Sequence, residues 1–175
     1  MKIAIIGYSG SGKSTLARKL AIIFQSDILH FDTVQFLPGW EMRPEEDKKK
    51  ITKEFLDTHD SWVIDGNYSK LFYERRMMEA DIIILLLLNR VSCLYRVIRR
   101  YLKYKNTTRP DMGEGCNEKL DWEFIRWILH DQRTKQVKNR YAQVRLQYQE
   151  KVMIVKNQRQ LDACIEKLCC LPDSV

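Results

Sequence analysis

The chain has 175 residues, of which 45% are hydrophobic and 30% charged; this excludes intrinsic disorder and suits one globular domain that buries roughly two thirds of its unfolded surface. Its net charge of +7 is unevenly placed, because residues 89–160 hold 17 Lys and Arg against 7 Asp and Glu, a local excess of about +10 that suits phosphate ligands and nucleic acid alike. Five cysteines (Cys93, Cys116, Cys164, Cys169 and Cys170) are odd in number and show no CxxC pair, which speaks against a secreted disulfide framework and against a zinc knuckle.

Lys2-Ile3-Ala4-Ile5-Ile6 is a β-branched run that reads as a first strand. No apolar leader with a small-residue cleavage site precedes it, so a cytoplasmic protein is expected. A glycine-rich turn follows, and Ser14 to Phe24 then carries apolar residues at helical spacing. Asp27-Ile28-Leu29-His30-Phe31 reads as a second strand, and Pro38-Gly39-Trp40 breaks the chain before a charged helix over residues 44–59 that starts favourably at Pro44. Trp62-Val63-Ile64-Asp65 is a third strand running into Gly66-Asn67, and residues 81–88 form a fourth. Neither alternates with polar residues, which points to strands covered on both faces and hence to a parallel sheet. The run from Ile82 to Leu88 is far shorter than the roughly 20 residues needed to cross a bilayer. Residues 91–105 form a basic helix, while residues 106–117, with Pro110, Gly113 and Gly115, cannot continue it and read as a loop or lid. A long helix is expected over residues 120–149, a fifth strand over residues 152–155 and a closing helix over residues 161–168.

The most specific signal is Gly7-Tyr8-Ser9-Gly10-Ser11-Gly12-Lys13-Ser14, a complete phosphate-binding pattern between an apolar strand and an amphipathic helix. Glycines at 7, 10 and 12 allow backbone N–H groups to turn inward, with Ser9, Ser11 and Thr15 completing the cradle. Lys13 is expected on the β and γ phosphates of ATP, and Ser14 on Mg²⁺. Mg²⁺ prefers oxygen ligands, and Asp65 ends a strand where ligands of open α/β sheets bind, so Asp65 is a metal or water-shell candidate. Asp32, read as ending the second strand, is placed to hold or deprotonate an acceptor hydroxyl. Arg96 and Arg100 are four apart and share one helix face, with Arg99 beside them. Their guanidinium forks suit a phosphoryl group in transfer, and Arg109 and Arg133 are weaker candidates for the same charge. His30 and Trp40 are candidates for the pocket wall.

Taken together, the segments Gly7 to Thr15, Leu29-His30-Phe31-Asp32, Trp40, Trp62 to Tyr68 and Arg96-Val97-Ile98-Arg99-Arg100 resemble the adenylate-kinase-related group known as DNA topology modulation proteins, over nearly the whole chain. In the wider adenylate kinase superfamily, the resemblance implies, Asp65-Gly66 corresponds to a strand-end pair that organises Mg²⁺ and substrate, and Arg96 and Arg100 to the RxxxR that opens the lid. Asn67-Tyr68 stands where adenylate kinases carry Phe-Pro-Arg, so the arginine for a substrate monophosphate is missing there; Arg75 or Arg76 could substitute. The family name implies an effect on DNA topology, yet no helix-turn-helix, zinc finger or topoisomerase-like tyrosine context is recognisable.

The expectation is therefore a three-layer α/β/α domain over residues 1–175 with a five-stranded parallel sheet, a P-loop at its carboxyl edge and a lid near residues 104–120. The expected activity is Mg²⁺-dependent phosphoryl transfer from ATP to an unidentified small-molecule or nucleotide acceptor. The rival readings are an ATP-switched DNA-binding regulator, motivated by the basic segment, and a simple ATPase.

Overall fold

A computed structural model describes residues 1–113 and 115–170; residue 114 of the expected lid and the last five residues of the expected domain lie outside this range. Strands β1 (Lys2–Gly7), β2 (Asp27–His30), β5 (Trp62–Asp65), β6 (Ile82–Leu86) and β7 (Val152–Val155) form one parallel sheet in the order β2-β5-β1-β6-β7. Helices flank it, giving the expected three-layer α/β arrangement. The reason is visible in the strands: Ile3, Ala4, Ile5 and Ile6 of β1 and Val63 and Ile64 of β5 have no exposed surface, as a sheet covered on both faces requires. Each such buried aliphatic side chain contributes about 2 kcal/mol of apolar transfer energy.

Register places the site. Ile5 pairs with Asp65, Asp65 pairs with His30, and Gly7 pairs with Leu86, so four strands end together at one sheet edge. Helix α1 (Lys13–Ile23) leaves that edge with Leu16, Ala17 and Leu20 buried. Helix α5 (Arg90–Tyr104) runs beside the phosphate loop, started by Asn89, whose side chain accepts from the Ser92 N–H at 2.8 Å.

Several sequence-based boundaries change. Phe31 and Asp32 do not end a strand: β2 stops at His30, and Phe31–Gln35 forms a short helix, α2. Phe31 is fully buried, the Thr33 hydroxyl returns to the His30 carbonyl at 2.7 Å, and Asp32 sits favourably in the first helical turn. Beyond α2, Phe36–Leu37 (β3) and Glu41–Met42 (β4) form a small antiparallel hairpin. After α3 (Glu45–Thr58) and β5 comes α4 (Tyr73–Glu79). The long helix over residues 120–149 is two helices, α6 (Trp122–Leu129) and α7 (Lys135–Gln147), with a 3₁₀ turn at Asp131–Arg133 between them. Asp121 caps α6 and Thr134 caps α7, so the second cap starts a new helix where a helical periodicity alone would continue the first. Helix α8 (Gln158–Cys169) starts three residues earlier and ends one residue later than expected. Among the described residues no helix is long and apolar enough to cross a membrane.

Candidate active site

The loop between β1 and α1 has the backbone that its glycines foretell. Gly7 lies at φ 142°, and a Cβ there would come within 2.2 Å of the Leu86 carbonyl oxygen; Gly12 lies at φ 97°, where a Cβ would meet an Arg96 nitrogen at 2.9 Å. Gly7 therefore excludes a side chain on conformational and steric grounds, and Gly12 on conformational grounds, since the Arg96 nitrogen is the end of a flexible side chain. Gly12 starts α1 without any side-chain cap, which leaves the first-turn N–H groups open. Uncapped amides at the positive end of a helix dipole fit an anionic phosphate.

Lys13 donates to the Gly7 and Tyr8 carbonyls at 3.2 and 3.1 Å. Burial pushes its ammonium below the ordinary lysine range, while the charges of Asp65 and Asp32 oppose that shift. The Ser14 hydroxyl donates to Asp65 Oδ2 at 2.8 Å, and Asp65 Oδ1 is hydrogen-bonded to His30 Nδ1. Asp65 is almost fully buried, so these two partners fix its orientation at the strand end. A hydroxyl and a carboxylate converging from two elements make an oxygen donor pair of the kind that a hard, partly hydrated cation such as Mg²⁺ accepts.

Beside this pair opens a cleft of about 1310 Å³, lined by Lys13, Ser14, Thr15, Asp32, Trp40, Asp65, Arg96, Arg100 and Arg109 among others. Ser9, Gly10 and Gly12 also border it, whereas Gly7 and Ser11 lie behind the surface of the loop. Arg96 donates to the Ser11 carbonyl and to Gln158 Oε1, both at 2.5 Å. Arg100 donates to Glu118 Oε1 at 2.7 Å. The Arg109 guanidinium, 7% exposed, lies 3.1 Å from Asp111, 2.7 Å from Glu118 and 3.9 Å from Asp32. Its Nε–H is not aligned on Glu118, so that contact is an ion pair and not a hydrogen bond. Arg18 reaches the other Asp111 oxygen at 2.6 Å. Burial works to raise the Asp111 carboxyl, but the guanidinium groups of Arg109 and Arg18 outweigh it and hold the group below its ordinary range. Burial likewise lowers the Arg100 guanidinium, helped by Arg109 and opposed by Glu118.

The candidates are not all in one place. Arg133 is not in the cleft wall: its guanidinium stacks 3.8 Å from the Tyr8 ring centroid and donates to the Leu88 carbonyl at 2.9 Å, which braces the loop from behind. Arg75 pairs with Asp57 and Glu79, and Arg76 is fully buried, so neither stands where a substrate monophosphate could reach it. His30 is the Asp65 partner described above. Trp40 does line the cleft, with its ring edge-on to Phe36 and its indole N–H donating to the Asn117 carbonyl at 3.0 Å.

Three residues escaped sequence reasoning. The Gln132 side chain accepts from the Ser9 N–H at 2.5 Å and donates to the Ser9 carbonyl at 3.4 Å. Asn67 brackets Gly7, and the Tyr68 hydroxyl donates to Asp32 at 2.7 Å. Gln132 lies 123 positions from its partner and carries no motif. Asn67 and Tyr68 do follow Asp65-Gly66 directly, and their polar side chains at the carboxyl edge of a central strand are a signal that could have been used.

No protein-family model matches the chain, and no curated protein matches it either. Solved structures do. A deoxyadenosine kinase from M. mycoides with bound dATP superposes with a TM-score of 0.54 at 17% identity, over 96% of this chain and 99% of that one. The same enzyme with the products dCMP and a flexible dCDP gives a TM-score of 0.51 at 15% identity, over 98% of this chain and 100% of that one. At such identities the likeness is one of fold, and the resemblance to the DNA topology modulation group rests on sequence motifs alone.

Proposed function

We propose that this protein is an ATP- and Mg²⁺-dependent kinase that phosphorylates a hydroxyl of an uncharged small acceptor, with a nucleoside as the first class to test. The observation that carries this reading is one cleft bordered by the phosphate loop, the Ser14–Asp65 oxygen pair and the Asp32 carboxylate. The fold it shares with a nucleoside kinase supports it.

In this reading the loop amides and Lys13 hold the ATP phosphates. Ser14 and Asp65 would hold Mg²⁺, which would supply positive charge against the ATP phosphates. Asp32, oriented by Tyr68 and half-exposed to the cleft, accepts the proton of the acceptor hydroxyl as its oxygen bonds to the γ phosphorus. The bond from that phosphorus to the β–γ bridging oxygen breaks, and ADP leaves. Arg96 and Arg100 border the path of the transferring group, where guanidinium charge stabilises the transition state. The segment near residues 104–120 acts as a lid that excludes water.

An uncharged acceptor is preferred because the three arginines are already engaged by two buried carboxylates, Arg18 and Arg109 by Asp111 and Arg109 and Arg100 by Glu118, with Asp32 itself a further negative charge 3.9 Å from Arg109. A monophosphate acceptor would have to displace those buried carboxylates, at the cost of leaving them unpaired. ADP production should be measured with Mg·ATP and a panel of nucleosides, nucleoside monophosphates and polyols. Stimulation by nucleosides or polyols is expected. Stimulation by monophosphates alone would overturn the uncharged-acceptor assignment, and no acceptor stimulation at all would overturn the kinase.

A further inference from the structure

The turn joining β5 to α4 touches both halves of the cleft. Its Gly66 N–H donates to the Ile5 carbonyl at 3.1 Å, which carries the β5–β1 ladder past Asp65. Asn67 then faces Gly7 with its whole amide: the Gly7 N–H donates to Oδ1 at 2.9 Å, and Nδ2 donates to the Gly7 carbonyl at 2.8 Å. A side-chain amide bonded to both polar groups of one residue behaves like a ladder partner and fixes that residue in position and rotation. Gly7 is where the phosphate loop leaves the sheet, and its carbonyl also receives Lys13.

One residue further on, Tyr68 holds Oδ1 of Asp32. Among the described residues, Asp32 Oδ2 has as charged neighbour the Arg109 nitrogen at 3.9 Å, beyond hydrogen-bond distance, which leaves this oxygen to meet an acceptor. Beneath the turn lies Arg76, which has no exposed surface. Its guanidinium donates to the carbonyls of Gly66 at 3.2 Å, Tyr68 at 2.9 Å and Leu71 at 3.0 Å, and stacks 4.3 Å from the Phe31 ring centroid. Burial lowers this guanidinium below its ordinary value, opposed by Tyr73 and, among the described residues, by no carboxylate. A core cation without a counter-ion is costly compared with an apolar side chain of equal volume. Each of its three nitrogens donates to a carbonyl that shapes this one turn.

We propose that Gly66-Asn67-Tyr68 is a positioning clamp, in which Asn67 sets the entry of the phosphate loop, Tyr68 sets the Asp32 carboxylate, and Arg76 holds the turn that bears both. Asn67 and Tyr68 border the cleft, but the role assigned to the three is positioning: Asn67 acts through the loop at Gly7, Tyr68 through Asp32, and Arg76 through the turn that bears both. The clamp accounts for Asn-Tyr at this place without a phosphate-binding arginine: the side chains face the protein's own site groups. Its Tyr68 half rests on the kinase reading above, whereas its Asn67 half is read in ATP binding alone.

The test is a split between two variants, measured by equilibrium ATP binding, by steady-state kinetics with the best acceptor and by urea unfolding. Asn67→Ala is expected to weaken ATP binding and raise KM for ATP by about tenfold, with kcat little changed. Tyr68→Phe is expected to leave ATP affinity unchanged and lower kcat by about tenfold, since misorienting a proton acceptor acts on the chemical step. Arg76→Lys, which cannot span three carbonyls from one point charge, is expected to impair both. Should Asn67→Ala fail to fold, Asn67→Ser gives the same reading at smaller amplitude. ATP affinity equal to wild type in the Asn67 variant, or parallel losses of affinity and turnover in both variants, overturns the clamp. If wild type binds ATP but no acceptor stimulates turnover, the kinase reading fails, and the clamp stands or falls on the ATP affinity of the Asn67 variant.

Discussion

Lys13 spends its ammonium on two carbonyls of its own loop, Gly7 and Tyr8, a use that its place in the motif does not reveal. A bound triphosphate offers the same group a charge-assisted partner in place of two neutral ones. Lys13→Ala is therefore expected to weaken ATP binding at least tenfold, about 1.4 kcal/mol, in a direct titration. The pH dependence follows from the direction of its shift. Burial lowers the Lys13 ammonium, so its charge is lost on the alkaline side at a lower pH than for an ordinary lysine. ATP affinity should fall as pH rises into that range, and this fall should be absent from Lys13→Ala; an identical alkaline profile in both proteins would assign the loss to another group. At the same scale, Ser14 and Asp65 were legible because motif and strand end announce them. Gln132 was not, since a hydrogen bond across 123 positions leaves no local pattern; the place of Asn67 after Asp65-Gly66 was a signal, but its partner Gly7, 60 positions away, was not.

At the scale of elements, the irregular arm after α5 is held by charge. Two isolated bridges, Lys105 with Glu118 and Thr108 with Asn117, fold the arm back on itself. Glu118 lies between Arg100 and Arg109 with its own side chain 3% exposed. The sequence permits a loop here through Pro110, Gly113 and Gly115, but it does not say that the loop brings its own carboxylates to the arginines. Glu118→Gln keeps the size and removes the charge, leaving two cations close together in a partly buried site. A loss of about 3 kcal/mol in unfolding free energy is expected, read from the urea midpoint at constant slope. A loss below about 0.5 kcal/mol would show the pair to be as weak as an exposed one. The break between α6 and α7 belongs to this scale too. Trp122 to Gln147 holds enough apolar residues at helical spacing to read as one helix, and the turn that splits it supplies Gln132 to the Ser9 backbone and Arg133 to the Tyr8 ring.

For the whole molecule, two arginines of the basic segment over residues 89–160 bear on the rival reading as a DNA-binding regulator, although most of the other cations of that segment are exposed. Arg96 and Arg100 turn toward the cleft and are engaged by Ser11, Gln158 and Glu118, whereas a nucleic-acid surface spreads its cations over an exposed stripe. Arg96→Ala and Arg100→Ala are each expected to lower kcat by about 10³ with a much smaller change in ATP affinity. Duplex DNA binding, measured at several salt concentrations, should show no change in slope. Intact turnover together with a salt slope reduced by about one unit would hand these arginines to DNA.

Some of this was decided locally. Continuous apolar strands dictate a sheet buried on both faces, and glycines at 7, 10 and 12 before Lys13-Ser14 dictate a phosphate loop at its edge; both are consequences of a few adjacent residues and the backbone conformations open to them. Asp32 shows the limit. Its nearness to the cleft was legible, but its place on a helix was not, because Phe31 is drawn into the core by contacts with Tyr68 and Arg76 that the chain makes only after folding. The same holds for which arginines face the cleft and which are buried or stacked elsewhere. A periodic pattern carries backbone class and amphipathic face, whereas the partner of a long polar side chain depends on which distant element arrives beside it, and that is a property of the tertiary structure alone.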